Sequence, residues 1–127
     1  MSSKSLISVV DDDESFRDSM RRLIKSLGYP VAVFPSAAEF LSSPKADATG
    51  CLVADVQMPA MTGTDLFRHL LDTGRNIPTI LVTAYPDDDA EKRMLNLGVE
   101  CYLPKPLEER VLIDCLRSAL ARGRAPP

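Results

Sequence analysis

The stretch SVVDDDES, residues 8–15, is a short apolar run that ends abruptly in three consecutive aspartates. Neighbouring like charges repel, by roughly 4 kcal/mol per pair at 4 Å and an effective dielectric near 20. Asp13 has a simple interpretation, because an acid is stabilised at the start of a helix by the helix dipole. Asp11 and Asp12 are either ordinary loop acids or part of a site where a counter-charge compensates for their repulsion.

Outward from this stretch, short apolar runs alternate with longer amphipathic runs. The short runs contain β-branched or aromatic residues without strict polar alternation, which is typical of strands covered on both faces. The longer runs place their apolar residues on one helical face. The predicted strands are 6–10, 31–34, 51–54, 78–83 and 100–103, and the predicted helices are 14–27, 36–41, 64–73, 88–97 and 107–121. This fivefold alternation predicts an α/β domain with a parallel sheet between two layers of helices.

Capping residues support the helix limits. Ser36 and Glu39 have the spacing of a capping box, and so do Asp88 and Glu91. A glycine follows the first helical pattern, and Gly98 follows the fourth, as expected where a helix ends in a left-handed residue.

Composition excludes several classes of protein. With 127 residues, 45% hydrophobic and 26% charged, the chain has the size and balance of one globular domain. The net charge of −3 provides no basic surface for nucleic acid. No apolar run reaches the roughly 20 residues of a membrane span, and the N-terminal MSSKS lacks the apolar segment of a signal peptide. We therefore expect a cytoplasmic protein without a membrane partner.

The three cysteines, Cys51, Cys101 and Cys115, are too few and too scattered to indicate a disulfide framework. Their presence as free thiols would suit a reducing compartment.

Polar side chains follow four of the five predicted strands. Asp11 and Asp12 follow the first strand, Asp55 the third, Thr83 ends the fourth and Lys105 follows the fifth. Each has an ordinary interpretation by itself, but the carboxyl ends of parallel strands share one edge, where such sheets bind ligands. Clustered carboxylates favour Mg²⁺. A carboxylate nucleophile beside a hydroxyl and an ammonium is suited to handling a phosphoryl group.

Four motifs carry a family resemblance: VVDDD at the first strand, LVADVQMPAMTG (52–63), LVTA (81–84) and YLPKP (102–106). With them, the chain resembles a receiver domain of two-component response regulators over about residues 6–120. It is similar to receivers that precede a LuxR-type helix-turn-helix. The Asp-x-x-Met-Pro-x-x-x-Gly pattern from Asp55 to Gly63 is the most specific part.

The resemblance implies a flavodoxin-like (βα)5 doubly wound parallel sheet with strand order 2-1-3-4-5. Residues 1–127 would form one receiver domain, with a core of about 6–120 and a tail or linker start at 121–127. Pro104 falls inside the predicted fifth strand, which is acceptable because that strand would lie at an edge of the sheet.

The resemblance also implies the roles of the acidic residues. Asp55 would accept a phosphoryl group from the phosphohistidine of a cognate histidine kinase. Asp12, Asp55 and the backbone carbonyl of Gln57 would ligate Mg²⁺ or Mn²⁺, with Asp11 acting directly or through water. The domain would be no enzyme in the ordinary sense, since it would catalyse only its own phosphorylation and dephosphorylation.

Further residues would bind the phosphoryl group and transmit its presence. Thr83 and Lys105 would contact phosphoryl oxygens, and Thr83 with Tyr102 would form the switch. The Lys105–Pro106 peptide bond would be cis. The output partner, or a second protomer, would bind the face made by the fourth helix, fifth strand and fifth helix.

Two other functions remain open from the residues. A haloacid-dehalogenase-like phosphatase would use Asp11 as its nucleophile, but would leave the motif at 55–63 without a role. A receiver-fold interaction module would never be phosphorylated. The terminal RGRAPP has the composition of the start of a linker. The chain is therefore expected to be either a single-domain regulator or a receiver that an output domain follows, and the linker favours the second.

Overall fold

The structure is a computed structural model that describes residues 5–123. Strands and helices alternate over the described chain, as predicted. Their bounds are β1 (Leu6–Val10), α1 (Glu14–Ser26), β2 (Val31–Phe34), α2 (Ala37–Ser42), β3 (Thr49–Asp55), α3 (Gly63–Asp72), β4 (Thr79–Thr83), α4 (Asp88–Leu97), β5 (Cys101–Pro104) and α5 (Glu109–Gly123). A short 3₁₀ turn, Pro44–Ala46, which the sequence patterns did not predict, precedes β3.

The five strands form one parallel sheet in the order β2-β1-β3-β4-β5. This is the predicted flavodoxin-like arrangement. Because β5 lies at the edge, Pro104 can end the strand opposite Thr83 without removing a central ladder hydrogen bond. The order brings the carboxyl ends of β1, β3, β4 and β5 side by side.

Two hydrophobic clusters cover the two faces of the sheet. Side chains of successive strand residues point to opposite faces, so Val9 and Val10 join different clusters. One face packs against α1 and α5 through residues such as Ile24 and Leu112. The other packs against α2, α3 and α4 through residues such as Phe40 and Leu66. The strands between them therefore offer little freedom to the loops at their ends.

Helix caps differ from the predictions in two places. The cap of α4 is Asp87, whose side chain accepts from Ala90 N at 3.0 Å, so the proposed Asp88–Glu91 box is wrong by one residue. Asp87 has the extended backbone that a cap requires, at φ −138° and ψ 122°. Before α3, the structure contains a capping box formed by Thr62 and Asp65 that the sequence patterns did not reveal.

The predicted N-cap at Ser36 and the predicted helix end at Gly98 are confirmed. The Ser36 side chain accepts from Glu39 N at 3.2 Å before α2. Gly98 ends α4 in the left-handed region, at φ 113°, where a side chain would be strained.

The cysteines correct a second expectation. Cys101 on β5 and Cys115 on α5 are joined in a disulfide. They are 14 residues apart in sequence, but the packing of α5 on the sheet brings their Cα atoms to 6.3 Å, within the range that a disulfide spans. Cys51 is a free, fully buried thiol, and burial, followed by the charge of Glu100, raises its pKa to about 12.

The last helix extends into the segment that was predicted to be a tail. Helix α5 continues to Gly123, so the first part of the predicted 121–127 tail is helical. Residues 1–4 and 124–127, which include most of the MSSKS segment and of the tail, lie outside the described residues. Among the described helices, none has the length and apolar character needed to cross a membrane.

Candidate functional site

Three carboxylates meet at the carboxyl edge of the sheet. Asp11 follows β1, Asp12 begins the next loop and Asp55 is the last residue of β3. One carboxylate oxygen from each lies within 4.8 Å of the others. Asp11 is completely buried and Asp55 is 5% exposed, whereas Asp12 is open to solvent. The predicted acidic cluster therefore exists, with one side accessible from solution.

Lys105 supplies the positive charge within this cluster. Its Nζ lies 2.8 Å from Asp11 Oδ2 and 3.5 Å from Asp55 Oδ2, and 4.2 Å above the centre of the Phe16 ring. Its backbone N donates to the Thr83 carbonyl at 2.8 Å, directly after β5 ends, and the Lys105–Pro106 bond is cis as expected. Burial lowers the pKa of Lys105, but the hydrogen bond to Asp11 and the charges of both aspartates outweigh it, so that the pKa is raised. The ammonium thus stays charged between two carboxylates.

Asp11 is already satisfied by groups of the protein. Its Oδ1 accepts from Asp13 N at 2.9 Å, and its Oδ2 accepts from Lys105. Its backbone carbonyl accepts from the Arg17 guanidinium at 2.8 Å. Asp13 itself caps α1 by accepting from Ser15 N at 3.0 Å, which confirms its simple interpretation. Asp11 is therefore held rigidly and is the least accessible member of the cluster.

Asp55 is less completely compensated. Its Oδ1 accepts only a 3.2 Å hydrogen bond from Gln57 N, and Lys105 lies farther from it than from Asp11. Burial and then the Asp11 charge raise the pKa of Asp55, although Lys105 and Gln57 N oppose this effect. Ionised Asp55 is therefore less favourable in the folded protein than in water, and a further cation would stabilise it.

Gly63 allows the start of α3 to lie close to the backbone at the end of β3. Gly63 N donates to the Val56 carbonyl at 3.2 Å, and a Cβ atom at Gly63 would collide with the backbone carbonyl of Asp55. A side chain here would force the end of β3 to move. The glycine that ends the Asp-x-x-Met-Pro-x-x-x-Gly pattern therefore has a steric cause.

Thr83, the predicted site residue on β4, is completely buried at the end of that strand. Its Oγ1 accepts from Tyr85 N at 3.0 Å and donates to Gln57 Oε1 at 2.8 Å. Tyr102, the predicted switch partner, is already largely buried, at 7% exposure, in the cluster that also contains Leu81 and Met94. Both side chains have the locations that the sequence predicted, and their part in switching stays a prediction.

The donor set suits a hard divalent cation. The candidate ligands are carboxylate oxygens of Asp12 and Asp55 and the backbone carbonyl of Gln57, and all are oxygen atoms of the kind that Mg²⁺ selects. Burial and then the Asp11 charge raise the pKa of Asp55, so a cation at this place would favour its ionised form. The residues therefore fit the expected metal, with Asp11 better placed to support the site than to enter it.

Three contacts at the site were not predicted. The Gln57 side chain reaches Thr83, the Phe16 ring lies beneath Lys105, and Arg17 binds the Asp11 carbonyl. The first two join residues that are distant in sequence, and the third joins α1 to the residue that follows β1, but the sequence patterns do not indicate which side chain reaches which group. Only the position of Phe16 on the buried side of the α1 pattern offered a signal.

Comparisons with known proteins agree with one another. A family model described as the response regulator receiver domain matches residues 7–117. Nodulation protein W of Bradyrhizobium diazoefficiens is 37% identical over 123 residues, covering 97% of this chain and 54% of that protein. Response regulator protein TodT of Pseudomonas putida is 34% identical over 116 residues, covering 91% of this chain and 51% of that protein.

The crystal structure of FixJ-N superposes with a TM-score of 0.84 at 31% identity, covering 94% of this chain and 96% of that one. The chain thus spans about half the length of nodulation protein W and TodT, but nearly the whole of FixJ-N.

Proposed function

The chain belongs to the response regulator receiver domain family, and we propose that Asp55 is its phosphoacceptor, with a histidine kinase phosphohistidine as the donor. The observation that carries this proposal is the environment of Asp55. It combines a carboxylate at a solvent-accessible edge, incomplete charge compensation and a lysine ammonium 3.5 Å away. The family membership makes a signalling domain the relevant class.

The chemistry is a transfer between two nucleophiles. An Asp55 carboxylate oxygen would attack phosphorus, the bond from phosphorus to the imidazole nitrogen of the donor would break, and that nitrogen would leave as a neutral imidazole after taking up a proton. Such transfers need mainly positioning and neutralisation of the phosphoryl oxygens. The Lys105 ammonium, whose pKa is raised and which Asp11 fixes, would bind one phosphoryl oxygen. The Thr83 hydroxyl would donate to another.

Asp12, Asp55 and the Gln57 carbonyl would hold Mg²⁺, or Mn²⁺ in its place. The bound cation would neutralise negative charge shared by the carboxylates and the incoming phosphoryl oxygens. Asp11 would fix Lys105 through their 2.8 Å contact and would act on the cation either directly or through a water ligand. The same residues would serve dephosphorylation, in which water attacks phosphorus, the bond from phosphorus to the Asp55 oxygen breaks, and inorganic phosphate leaves the regenerated carboxylate.

The phosphoryl charge would act on a protein-binding surface. Binding of Thr83 to a phosphoryl oxygen would change the packing beside Tyr102 on the neighbouring strand, and through it the face formed by α4, β5 and α5. We propose that an output partner or a second protomer binds this face. We also propose that residues 1–127 are one receiver unit, with its core at about 6–120, within a longer regulator.

The direct test is phosphorylation by a small donor. The chain is incubated with acetyl phosphate and Mg²⁺, and intact mass is measured; we expect an increase of one phosphoryl group that chelation of the metal prevents. Borohydride reduction converts an aspartyl phosphate to homoserine, which peptide mapping then locates at position 55. Asp55→Asn should fold and show no adduct.

The same experiment separates the alternatives. A phosphatase of the haloacid-dehalogenase type would place the adduct on Asp11, yet that carboxylate is completely buried and both oxygens are already hydrogen-bonded. An interaction module would give no adduct with any donor. Homoserine at position 11, or an unchanged mass in wild type, would contradict the assignment of Asp55.

A further inference from the structure

The Thr83 hydroxyl has a single proton, and in this structure that proton is already used. Thr83 Oγ1 donates to Gln57 Oε1 at 2.8 Å, while Tyr85 N donates to the same oxygen at 3.0 Å. A hydroxyl donates one hydrogen bond at a time in good geometry. Thr83 therefore cannot donate to a phosphoryl oxygen on Asp55 while it donates to Gln57.

The positions of the two residues make this competition local. Asp55 pairs with Val82 in the sheet, so Thr83 lies one residue beyond the pair, at the end of the neighbouring strand. Gln57 lies two residues beyond Asp55 in the loop that follows β3. Thr83 is completely buried, whereas Gln57 is exposed, so its side chain can leave Thr83 for water. The bond spans 26 residues and joins the phosphoacceptor loop to the end of β4.

We propose that the Gln57 side chain is a positioning residue that holds Thr83 in its resting state, so that occupation of the site must first release this hydrogen bond. The inference rests on the proposed function, because it specifies how that same site is regulated. The backbone carbonyl of Gln57 keeps its separate role as a metal ligand. Substitution of the side chain therefore tests the resting-state bond while leaving the ligand atom in place.

The first test uses the free protein and needs no phosphoryl group. Gln57→Met removes the acceptor at nearly constant length, and Thr83→Val removes the donor at nearly constant shape. Urea unfolding of the wild type, both single variants and the double variant gives the coupling between the two side chains. We expect the effect of the double variant on the unfolding equilibrium constant to differ by about two- to fivefold from the combined effects of the single variants. This lies toward the low end for a neutral hydrogen bond because Gln57 is open to water.

The second test measures the affinity for beryllofluoride, a phosphoryl mimic, in Mg²⁺. Removal of an interaction that exists only in the resting state shifts the population toward the bound state. Gln57→Met should therefore bind beryllofluoride about two- to fivefold more tightly than wild type. In the Thr83→Val background the same substitution should have no effect, whereas in the conservative Thr83→Ser background the full effect should return.

The outcomes are distinct. Additive unfolding effects of the two substitutions would overturn the resting-state bond. An equal gain from Gln57→Met with and without the Thr83 hydroxyl would also overturn the proposal, because Gln57 would then act on the phosphoryl group itself. If the wild type binds beryllofluoride tightly and Gln57→Met does not increase the affinity, only the proposed role of Gln57 in holding Thr83 would be overturned. Failure of wild type to bind beryllofluoride would instead overturn the proposed function together with it.

Discussion

The carboxyl edge and the interior of the sheet solve opposite problems. Inside, all five residues of β4 are buried and both faces are covered by apolar side chains. At the edge, three carboxylates and one ammonium follow the strands, and burial, followed by the charge of Asp11, raises the pKa of Asp55. Burial of apolar side chains in the interior stabilises the folded protein. The clustered carboxylates at the edge destabilise it.

The interior and the edge depend on different features of the sequence. The apolar patterns determine the layers, which need only side chains of suitable size and spacing. The polar residues at the strand ends are tolerable because the layers fix them rigidly enough for a cation to compensate them. Stability measurements on the two regions should therefore respond in opposite directions to the removal of side-chain groups.

The largest effect is expected in the interior. Ile80 on β4 is completely buried, so Ile80→Ala should lower the free energy of unfolding by about 2–5 kcal/mol through lost burial and a cavity. Urea denaturation measures this change. Leu95→Ala is the control, since Leu95 is 42% exposed and its truncation should cost far less. Equal losses in the two variants would remove the contrast.

Reduction of the disulfide between β5 and α5 should have the next largest effect on stability. The Cys101–Cys115 disulfide closes a loop with a sequence separation of 14 residues, for which chain entropy gives about 3 kcal/mol. Reduction should lower the urea midpoint of the wild type by a corresponding amount. The matched control is Cys115→Ala, whose midpoint should not respond to the reductant. A wild-type midpoint that is equally insensitive would contradict the stabilising role of the bridge.

At the edge, a cation should add stability that the interior cannot provide. Mg²⁺ at about one hundred times its Kd should stabilise the wild type by about 2.7 kcal/mol, since only the folded chain brings the carboxylates together. Thermal unfolding with and without chelator tests this. Asp12→Ala should lose most of the Mg²⁺ effect and retain the fold. An unchanged response in that variant would exclude Asp12 as a ligand.

The smallest effect carries the opposite sign. Without metal at neutral pH, Asp55→Asn should raise the free energy of unfolding, by less than the changes expected above. The reason is that the raised pKa makes the ionised carboxylate less favourable in the folded protein than in the unfolded chain. The same substitution should lower stability relative to wild type once Mg²⁺ saturates the site. Destabilisation in chelator would mean that Lys105 already compensates Asp55 in full.

Much of the fold could be predicted because strands and helices follow from apolar patterns that are local in the sequence and recur along it. The bounds of β1 and β2 agree with the apolar runs at 6–10 and 31–34, and β5 differs by one residue. The α4 cap was misassigned because Asp87, Asp88 and Asp89 are equally good capping residues. Only the backbone conformation, which the preceding loop fixes, selects Asp87.

The site was predictable in its members but not in its connections. Strand order brings Asp11, Asp55 and Lys105 to one edge, and the order follows from the family pattern. The partner of the Thr83 hydroxyl, however, depends on the path of the loop after β3, and the Cys101–Cys115 bridge depends on how α5 is rotated on the sheet. Both are tertiary properties that carry no periodic signal.

The environment of Cys51 has a consequence for covalent labelling. Its thiol is completely buried and has a pKa of about 12, so almost no reactive thiolate exists at neutral pH. A maleimide dye should therefore ignore the native oxidised chain and, after mild reduction, attach only at Cys101 and Cys115. Two dyes per chain would then correspond to one open bridge, and the labelling rate would report how readily that bridge opens.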